Sequence, residues 1–150
     1  MAQLVNVIAP IMTRAGGGAW AQTIYWPLKQ ASEFGRGVSL LPKITSEKID
    51  TKHYTDVPLV DAAAVMGEDG SVTIFAVNRD LKEDALLSCD LRSFGEFTGA
   101  SHSVLHHDDV KAVNTESDPG QVTPRQVNID VKDGEVLLPA ASWNVIRLTK

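Results

Sequence analysis

The pattern of the sequence changes near Pro42, and this change limits the fold more than any other feature. Before Pro42 the chain has an apolar run, a glycine-rich segment and a helical pattern. After Pro42 come short runs of alternating polarity separated by turn signals, which are typical of an antiparallel sandwich or barrel. We therefore expect a mainly β fold with a short β/α segment at its start.

The segment before Pro42 predicts half of a β/α unit. Residues 4–12 form an apolar run that suits a buried strand, or in its first few residues the end of a preceding helix, and the glycine-rich residues 14–19 predict a loop. Residues 20–34 predict a helix with one apolar face, formed by Ile24, Leu28, Ala31 and Phe34. Pro27 conflicts with an interior helical position, so the helix is expected to begin near Trp26 or to be kinked there. A lone strand and helix need a partner to cover their apolar faces.

The segment after Pro42 predicts an all-β domain. Residues 43–57 are polar and predict a linker or a long loop. Strands are expected at residues 38–41, 59–66, 71–78, 85–91, 101–107, 127–131, 135–138 and 143–148. Turns at residues 67–70 and 132–134 predict two hairpins, the second between residues 127–131 and 135–138.

Composition excludes several classes of protein. The net charge is −5 and the basic residues are scattered, which disfavours a nucleic-acid surface. No apolar run reaches membrane-spanning length, and no basic segment resembling a signal peptide opens the sequence, so the cytoplasm is the expected location. Cys89 is the one cysteine, so no intrachain disulfide can form, and its apolar neighbours predict a buried structural thiol.

A cluster of histidines and aspartates follows one predicted strand but does not predict a metal site. On a strand, His102 and His106 share a face about 13 Å apart. Zinc needs nitrogens at about 2.0–2.1 Å, so one extended strand cannot bring both to one ion. A solvated strand end is the better interpretation of His102, His106, His107, Asp108 and Asp109, and we expect no metal.

The glycine-rich loop is the candidate binding site. It lacks the Lys-Ser/Thr pair of a P-loop and the Rossmann spacing, so no nucleotide cofactor is expected. It follows a predicted strand and precedes a helix, the position of active sites on β/α barrels. Trp20 offers an apolar face to a sugar ring, and the amide of Gln22 can donate to and accept from hydroxyls. The alternative is that Trp20 is core and Gln22 is simply exposed.

At these residues the chain resembles the eighth β/α unit of family 51 α-L-arabinofuranosidases. The matching residues are Gln3-Leu4-Val5-Asn6-Val7-Ile8-Ala9-Pro10-Ile11-Met12-Thr13, the glycines of the loop, Ala19-Trp20, Gln22-Thr23-Ile24-Tyr25, Pro27 and Gly35-Arg36-Gly37. Residues resembling the family's C-terminal sandwich are Val57-Pro58, Leu59-Val60-Asp61-Ala62, Ala112-Val113-Asn114-Thr115, Asp118-Pro119, Val122-Thr123-Pro124, Leu138-Pro139 and Ser142-Trp143-Asn144-Val145-Ile146-Arg147-Leu148. The loop departs from the family at Arg14-Ala15 and Ala21.

The resemblance implies a fold in two parts. Residues 1–42 would be the last strand, loop and helix of a (β/α)8 barrel. Residues 43–150 would be a C-terminal antiparallel β-sandwich of jelly-roll type. Its implied role is structural: it would brace the barrel and contribute to contacts in a homo-oligomer.

The resemblance also implies an activity for a longer parent protein. Family members are retaining glycosidases that release terminal α-L-arabinofuranosyl groups from arabinan, arabinoxylan and oligosaccharides. Their two catalytic glutamates lie on earlier barrel strands, so this chain would carry no catalytic residue and would be inactive alone. Gln22 occupies the position that reaches the arabinose hydroxyls, and Trp20 is the neighbouring aromatic residue.

A carbohydrate-binding module is the alternative class. A sandwich could hold sugar without cleaving it, using Trp143 or His106. Against this class, the aromatic fraction is only 6% and no row of aromatic residues follows the predicted strands.

Overall fold

The computed structural model describes residues 3–129 and 134–150. The helices in this part of the chain are α1 (Tyr25–Phe34) and a short 3-10 helix (Arg92–Phe94). The strands are β1 (Ile11–Thr13), β2 (Ala19–Ala21), β3 (Val38–Leu40), β4 (Lys48–Ile49), β5 (Val57–Pro58), β6 (Val60–Met66), β7 (Val72–Asn78), β8 (Ala85–Ser88), β9 (Gly99–Leu105), β10 (Arg125–Val127), β11 (Glu135–Leu138) and β12 (Ser142–Thr149). The fold is mainly β, as predicted.

The main sheet has six strands in the order β10-β9-β12-β7-β6-β3, and each neighbouring pair is antiparallel. Strand β12 lies in the middle, paired with β7 from Ser142↔Asn78 to Leu148↔Val72 and with β9 on its other side. The predicted hairpin of β6 and β7 is confirmed. Its turn closes with bonds from the Gly67 N–H to the Ser71 carbonyl and from the Gly70 N–H to the Gly67 carbonyl.

The apolar core lies between one face of this sheet and the small sheet of β8 and β11. Alternate residues of the two central strands contribute Val72, Ile74, Ala76, Ile146 and Leu148, and β11 contributes Val136 and Leu138. This is the period-2 burial expected for sheets packed face to face. Both faces of β7 are covered, because all of its residues are buried or partly buried.

Helix α1 covers the opposite face of the main sheet. The ring of Trp143 on β12 stacks on Phe75 with centroids 5.8 Å apart. The Trp143 Nε1–H donates to Gln30 Oε1 at 2.9 Å, and the Arg147 guanidinium lies 4.7 Å from the centroid of the Phe34 ring. Alternate residues of β12 therefore face the core and the helix.

The start of the chain differs from the predicted strand, loop and helix of a barrel. Within the expected strand at residues 4–12, only Ile11 and Met12 belong to a strand, β1, which pairs antiparallel with β2. Asn6 and Val7 have φ angles of 62° and 60°, which break an extended strand. A β-hairpin thus stands where a barrel strand was expected, because hydrophobicity alone cannot distinguish an apolar loop from a buried strand.

The helix begins at Tyr25, close to the start that Pro27 predicts. Pro27 lies in the first turn, where its missing N–H has no partner within the helix. The predicted apolar face of the helix does not pack against the main sheet, because its residues Ile24 and Leu28 are 50% and 42% exposed. The helix instead places Gln30 against the sheet.

The described residues do not form the predicted hairpin between residues 127–131 and 135–138. Strand β10 pairs with β9 in the main sheet, whereas β11 pairs with β8. The predicted turn at residues 132–134 and the end of the preceding strand fall partly on residues 130–133, which lie outside the described residues. Strand pairing is a tertiary property, so turn residues close in sequence do not decide it.

Two smaller features complete the fold. The expected linker at residues 43–57 is largely irregular, but β4 pairs with β5. Across residues 3–129 and 134–150, no helix combines the length and apolar character that crossing a bilayer requires.

Candidate functional site

The glycine-rich loop connects β1 to β2. The Arg14 N–H donates to the Gly18 carbonyl at 3.2 Å, and the Gly17 N–H donates to the Arg14 carbonyl at 2.9 Å. Gly16 has a φ angle of 68°, in the left-handed region that favours glycine. The loop is therefore a tight hairpin connection with a defined backbone.

Trp20 and Gln22 lie two residues apart on and just after β2, so they point to the same side of the strand. Both side chains donate to one acceptor, the carbonyl oxygen of Asn114. The distances are 3.2 Å from Trp20 Nε1 and 3.3 Å from Gln22 Nε2. The structure thus brings the two predicted site residues together and joins them to a loop about ninety residues later in the chain.

Asn114 is the centre of this junction and was not found from the sequence. Its side chain is buried, and its Nδ2 donates to the carbonyls of Ala21 and Val122 at 3.0 Å each. Its Oδ1 accepts the Val122 N–H at 2.7 Å. A single asparagine in a loop carries no sequence signal of such a role, because its partners are distant in the chain.

Glu116 makes a second connection between the same two loops. Its carboxylate accepts the Gly18 N–H at 3.2 Å and lies 3.1 Å from Arg14 Nε. Arg14 is mostly exposed, so this ion pair contributes about 0–1 kcal/mol. The unusual Arg14 of the loop thus has a partner within the chain.

The glutamates give no sign of a catalytic acid. The chain contains seven: Glu33, Glu47, Glu68, Glu83, Glu96, Glu116 and Glu135. All are exposed except Glu116, which is partly buried and paired with Arg14. A glycosidase acid needs an apolar setting that raises its pKa, and an exposed carboxylate lacks one.

The histidine cluster is not a solvated strand end throughout. His102 is 1% exposed, so that interpretation is wrong for this residue. Its Nε2 lies 3.0 Å from Asn144 Oδ1, and burial lowers the pKa of the imidazole. His106 lies 3.2 Å from an oxygen of Asp108, beyond the end of β9. Within the described part of the chain, no three metal-binding side chains form a group that could hold an ion.

Cys89 is partly buried, and burial raises the pKa of its thiol. The raised pKa disfavours the reactive thiolate, in agreement with a structural thiol.

The residues that could serve a sugar-binding sandwich are already engaged in other contacts. Trp143 packs on Phe75 and donates to Gln30 beneath α1. The side chain of His106 is only 17% exposed. These placements weigh against an open sugar platform on the sheet.

Comparison with solved structures first defines the class of the fold. A family 51 α-L-arabinofuranosidase from Bifidobacterium longum matches with a TM-score of 0.91 and 37% identity, over 99% of this chain and 29% of that chain. A family 51 enzyme from Thermotoga petrophila matches with a TM-score of 0.80 and 23% identity, over 97% and 32% of the two chains. The fold is therefore that of the C-terminal part of such enzymes.

Sequence comparison then gives the family. Residues 1–142 match the family described as the α-L-arabinofuranosidase C-terminal domain. The chain is 50% identical to an intracellular exo-α-(1→5)-L-arabinofuranosidase of Halalkalibacterium halodurans, over 100% of this chain and 30% of that protein. It is 36% identical to an exo-α-(1→6)-L-arabinofuranosidase of Bifidobacterium longum, over 99% and 30%. The chain belongs to the α-L-arabinofuranosidase C-terminal domain family, and it spans about 30% of the length of these relatives.

Proposed function

We propose that this chain is the C-terminal part of a retaining α-L-arabinofuranosidase. The parent protein would release terminal α-L-arabinofuranosyl groups from arabinan, arabinoxylan and related oligosaccharides. The observation that carries the proposal is 50% identity along the whole chain to a relative named for this activity. Because the chain spans 30% of that relative, the activity is proposed for the parent.

The β domain would brace the catalytic part of the parent. Residues 1–42 would supply the end of its barrel and the edge strand β3 of the sandwich, and residues 43–150 would form the rest of the sandwich. The exposed side of α1 supports this arrangement, since Ile24 and Leu28 point away from the sheet that Gln30 contacts. Leu4, Val7 and Ile8 are also exposed, at 59%, 79% and 70%. Apolar side chains at this density commonly mark a surface that another element covers.

The two catalytic carboxylates would lie outside these 150 residues. Retention requires a pair of carboxyl groups about 5–5.5 Å apart, one attacking and one protonating. The isolated chain should therefore not hydrolyse 4-nitrophenyl α-L-arabinofuranoside, whereas the full-length protein should. Turnover by the pure chain, abolished by substitution of one of its own glutamates, would overturn the proposal.

Gln22 and Trp20 would contact the sugar. The Gln22 Nε2 points to the Asn114 carbonyl, so the Oε1 end of the amide is directed elsewhere. Among the described residues, Oε1 has no hydrogen-bond partner and is free to accept from a hydroxyl. Gln22→Ala in the full-length protein should lower kcat/KM about 2–10-fold, the equivalent of about 0.5–1.5 kcal/mol for a neutral bond.

The exposed Gln121 provides a matched control on the neighbouring loop. Gln121→Ala should leave both kinetics and the melting temperature unchanged. Lowered stability with unchanged kinetics in Gln22→Ala would assign Gln22 to packing and remove it from the site.

We also propose a cytoplasmic homo-oligomer. The name of the Halalkalibacterium relative describes that protein as intracellular, which supports the location. Cell fractionation and light scattering of the full-length protein test the two parts separately. A secreted product, or a monomer at micromolar concentration, would contradict the corresponding part.

A further inference from the structure

Asn114 uses nearly all the hydrogen-bonding capacity of its side chain to join two loops. Its two amide hydrogens go to the carbonyls of Ala21 and Val122, and its oxygen accepts the Val122 N–H. The residue is 1% exposed, so water does not replace these bonds when they are lost. No other side chain of this size supplies two donors and an acceptor in one plane.

The backbone carbonyl of Asn114 makes the other hydrogen bonds between the two loops. Its carbonyl accepts both the indole N–H of Trp20 and the amide N–H of Gln22. The side chain fixes this carbonyl, because it binds the strand segment at Ala21, directly between the two donors. The fixed carbonyl sets the orientation of the Gln22 side-chain amide, because only its Nε2 can donate to a carbonyl oxygen.

We infer that Asn114 is a positioning residue for the sugar-binding loop, acting through its carbonyl on Gln22 and Trp20. The inference rests on the proposed function of these two residues. The site would thus depend on a residue of the β domain that does not itself touch the sugar. Without the Asn114 side-chain amide, the Asn114 carbonyl would no longer be held in place, and the side-chain amide of Gln22 could turn over. Its Nε2 donor would then face the sugar hydroxyl in place of its Oε1 acceptor.

The test compares two buried asparagines in the full-length protein. Asn78 is buried and donates through Nδ2 to the carbonyls of Glu83, Leu138 and Pro139. Its Oδ1 accepts the Asp80 N–H at 3.0 Å. Asn78→Asp and Asn114→Asp therefore remove the same kind of donor from backbone carbonyls, but in the described part of the chain Asn78 makes no hydrogen bond to the glycine-rich loop.

Asn114→Asp should lower kcat/KM for 4-nitrophenyl α-L-arabinofuranoside about tenfold at a temperature where the protein remains folded. Asn78→Asp should lower the melting temperature by a similar amount and leave kcat/KM within twofold. Combining Asn114→Asp with Gln22→Ala should lower kcat/KM by less than the product of the two single effects, because part of the effect of Asn114 passes through Gln22. If Asn114→Asp does not fold, Asn114→Ser replaces it, since a hydroxyl can accept a hydrogen bond but lacks the two amide donors.

The possible outcomes distinguish the positioning role of Asn114 from the proposed function. An active enzyme in which Asn114→Asp lowers stability but leaves kcat/KM within twofold would overturn the positioning role alone. Effects of Asn114→Asp and Gln22→Ala that multiply would overturn the route through Gln22. No turnover of arabinofuranosides by the unsubstituted protein would instead overturn the proposed function, and the positioning role with it.

Discussion

Replacing Gln30 by alanine should loosen the docking of α1 on the main sheet. The side chain is buried, donates to Ser103 Oγ at 2.8 Å and accepts from Trp143 Nε1 at 2.9 Å. Gln30→Ala removes both bonds and leaves two polar groups under the helix without a partner. Each such bond contributes about 0.5–1.5 kcal/mol, so the free energy of unfolding should fall by about 2 kcal/mol. For about 150 residues this corresponds to a melting temperature roughly 4–8 °C lower.

Urea unfolding of the chain, followed by tryptophan fluorescence, measures this loss. Glu33→Ala is the matched control on an exposed position of the same helix and should change stability by about 0.5 kcal/mol or less. A double-mutant cycle of Gln30→Ala with Trp143→Phe should give a coupling of about 1 kcal/mol. A Gln30→Ala variant as stable as the control, with no coupling to Trp143, would show that these two hydrogen bonds do not hold the helix on the sheet.

Three further predictions follow from the fold. Leu138→Ala should lower the free energy of unfolding by about 2–5 kcal/mol, because it opens a cavity in the core. Leu137→Ala, on the exposed side of β11, should lower it by about 0.5 kcal/mol or less, and thermal unfolding of both variants measures the difference. Because burial lowers the folded-state pKa of His102 below the ordinary value of about 6.5, the unfolded chain binds the proton first. Stability should therefore be complete above about pH 6.5 and fall as the pH drops toward the folded-state pKa, and His102→Gln should flatten this dependence; parallel curves would contradict it. Hydrogen exchange should show weaker protection at residues 4–34 than in the strands after Leu59, and equal protection would indicate that the start of the chain is held as firmly as the sheets.

The strands of the main sheet were largely predictable from the sequence. The hairpin of β6 and β7 follows from alternating apolar residues around Gly67 and Gly70, a local signal. The prediction of a strand along residues 4–12 was wrong because Asn6 and Val7 adopt positive φ angles, which the hydrophobicity of the sequence does not indicate. The pairing of β10 with β9 and of β11 with β8 depends on contacts across the sandwich, which local turn chemistry cannot predict.

For the helix and the candidate site, too, some features could be predicted from the sequence and others could not. The apolar face of α1 was visible in the sequence, but not the fact that Gln30 would be the residue buried against the sheet. Trp20 and Gln22 were identified by their position after the glycines and by resemblance. Asn114 was not, because its role arises from bonds to residues more than ninety positions earlier.

Among the described strands of the main sheet, the middle strand β12 is the last to be synthesised. Until β12 leaves the ribosome, β7 and β9 each carry an open edge of unpaired backbone groups. Such edges are templates for pairing with other chains. A premature stop before Ser142 would divide the sheet into β10-β9 and β7-β6-β3, with both open edges left permanently without their partner. A stop codon before Ser142 should thus produce an aggregating polypeptide rather than a shortened but folded domain.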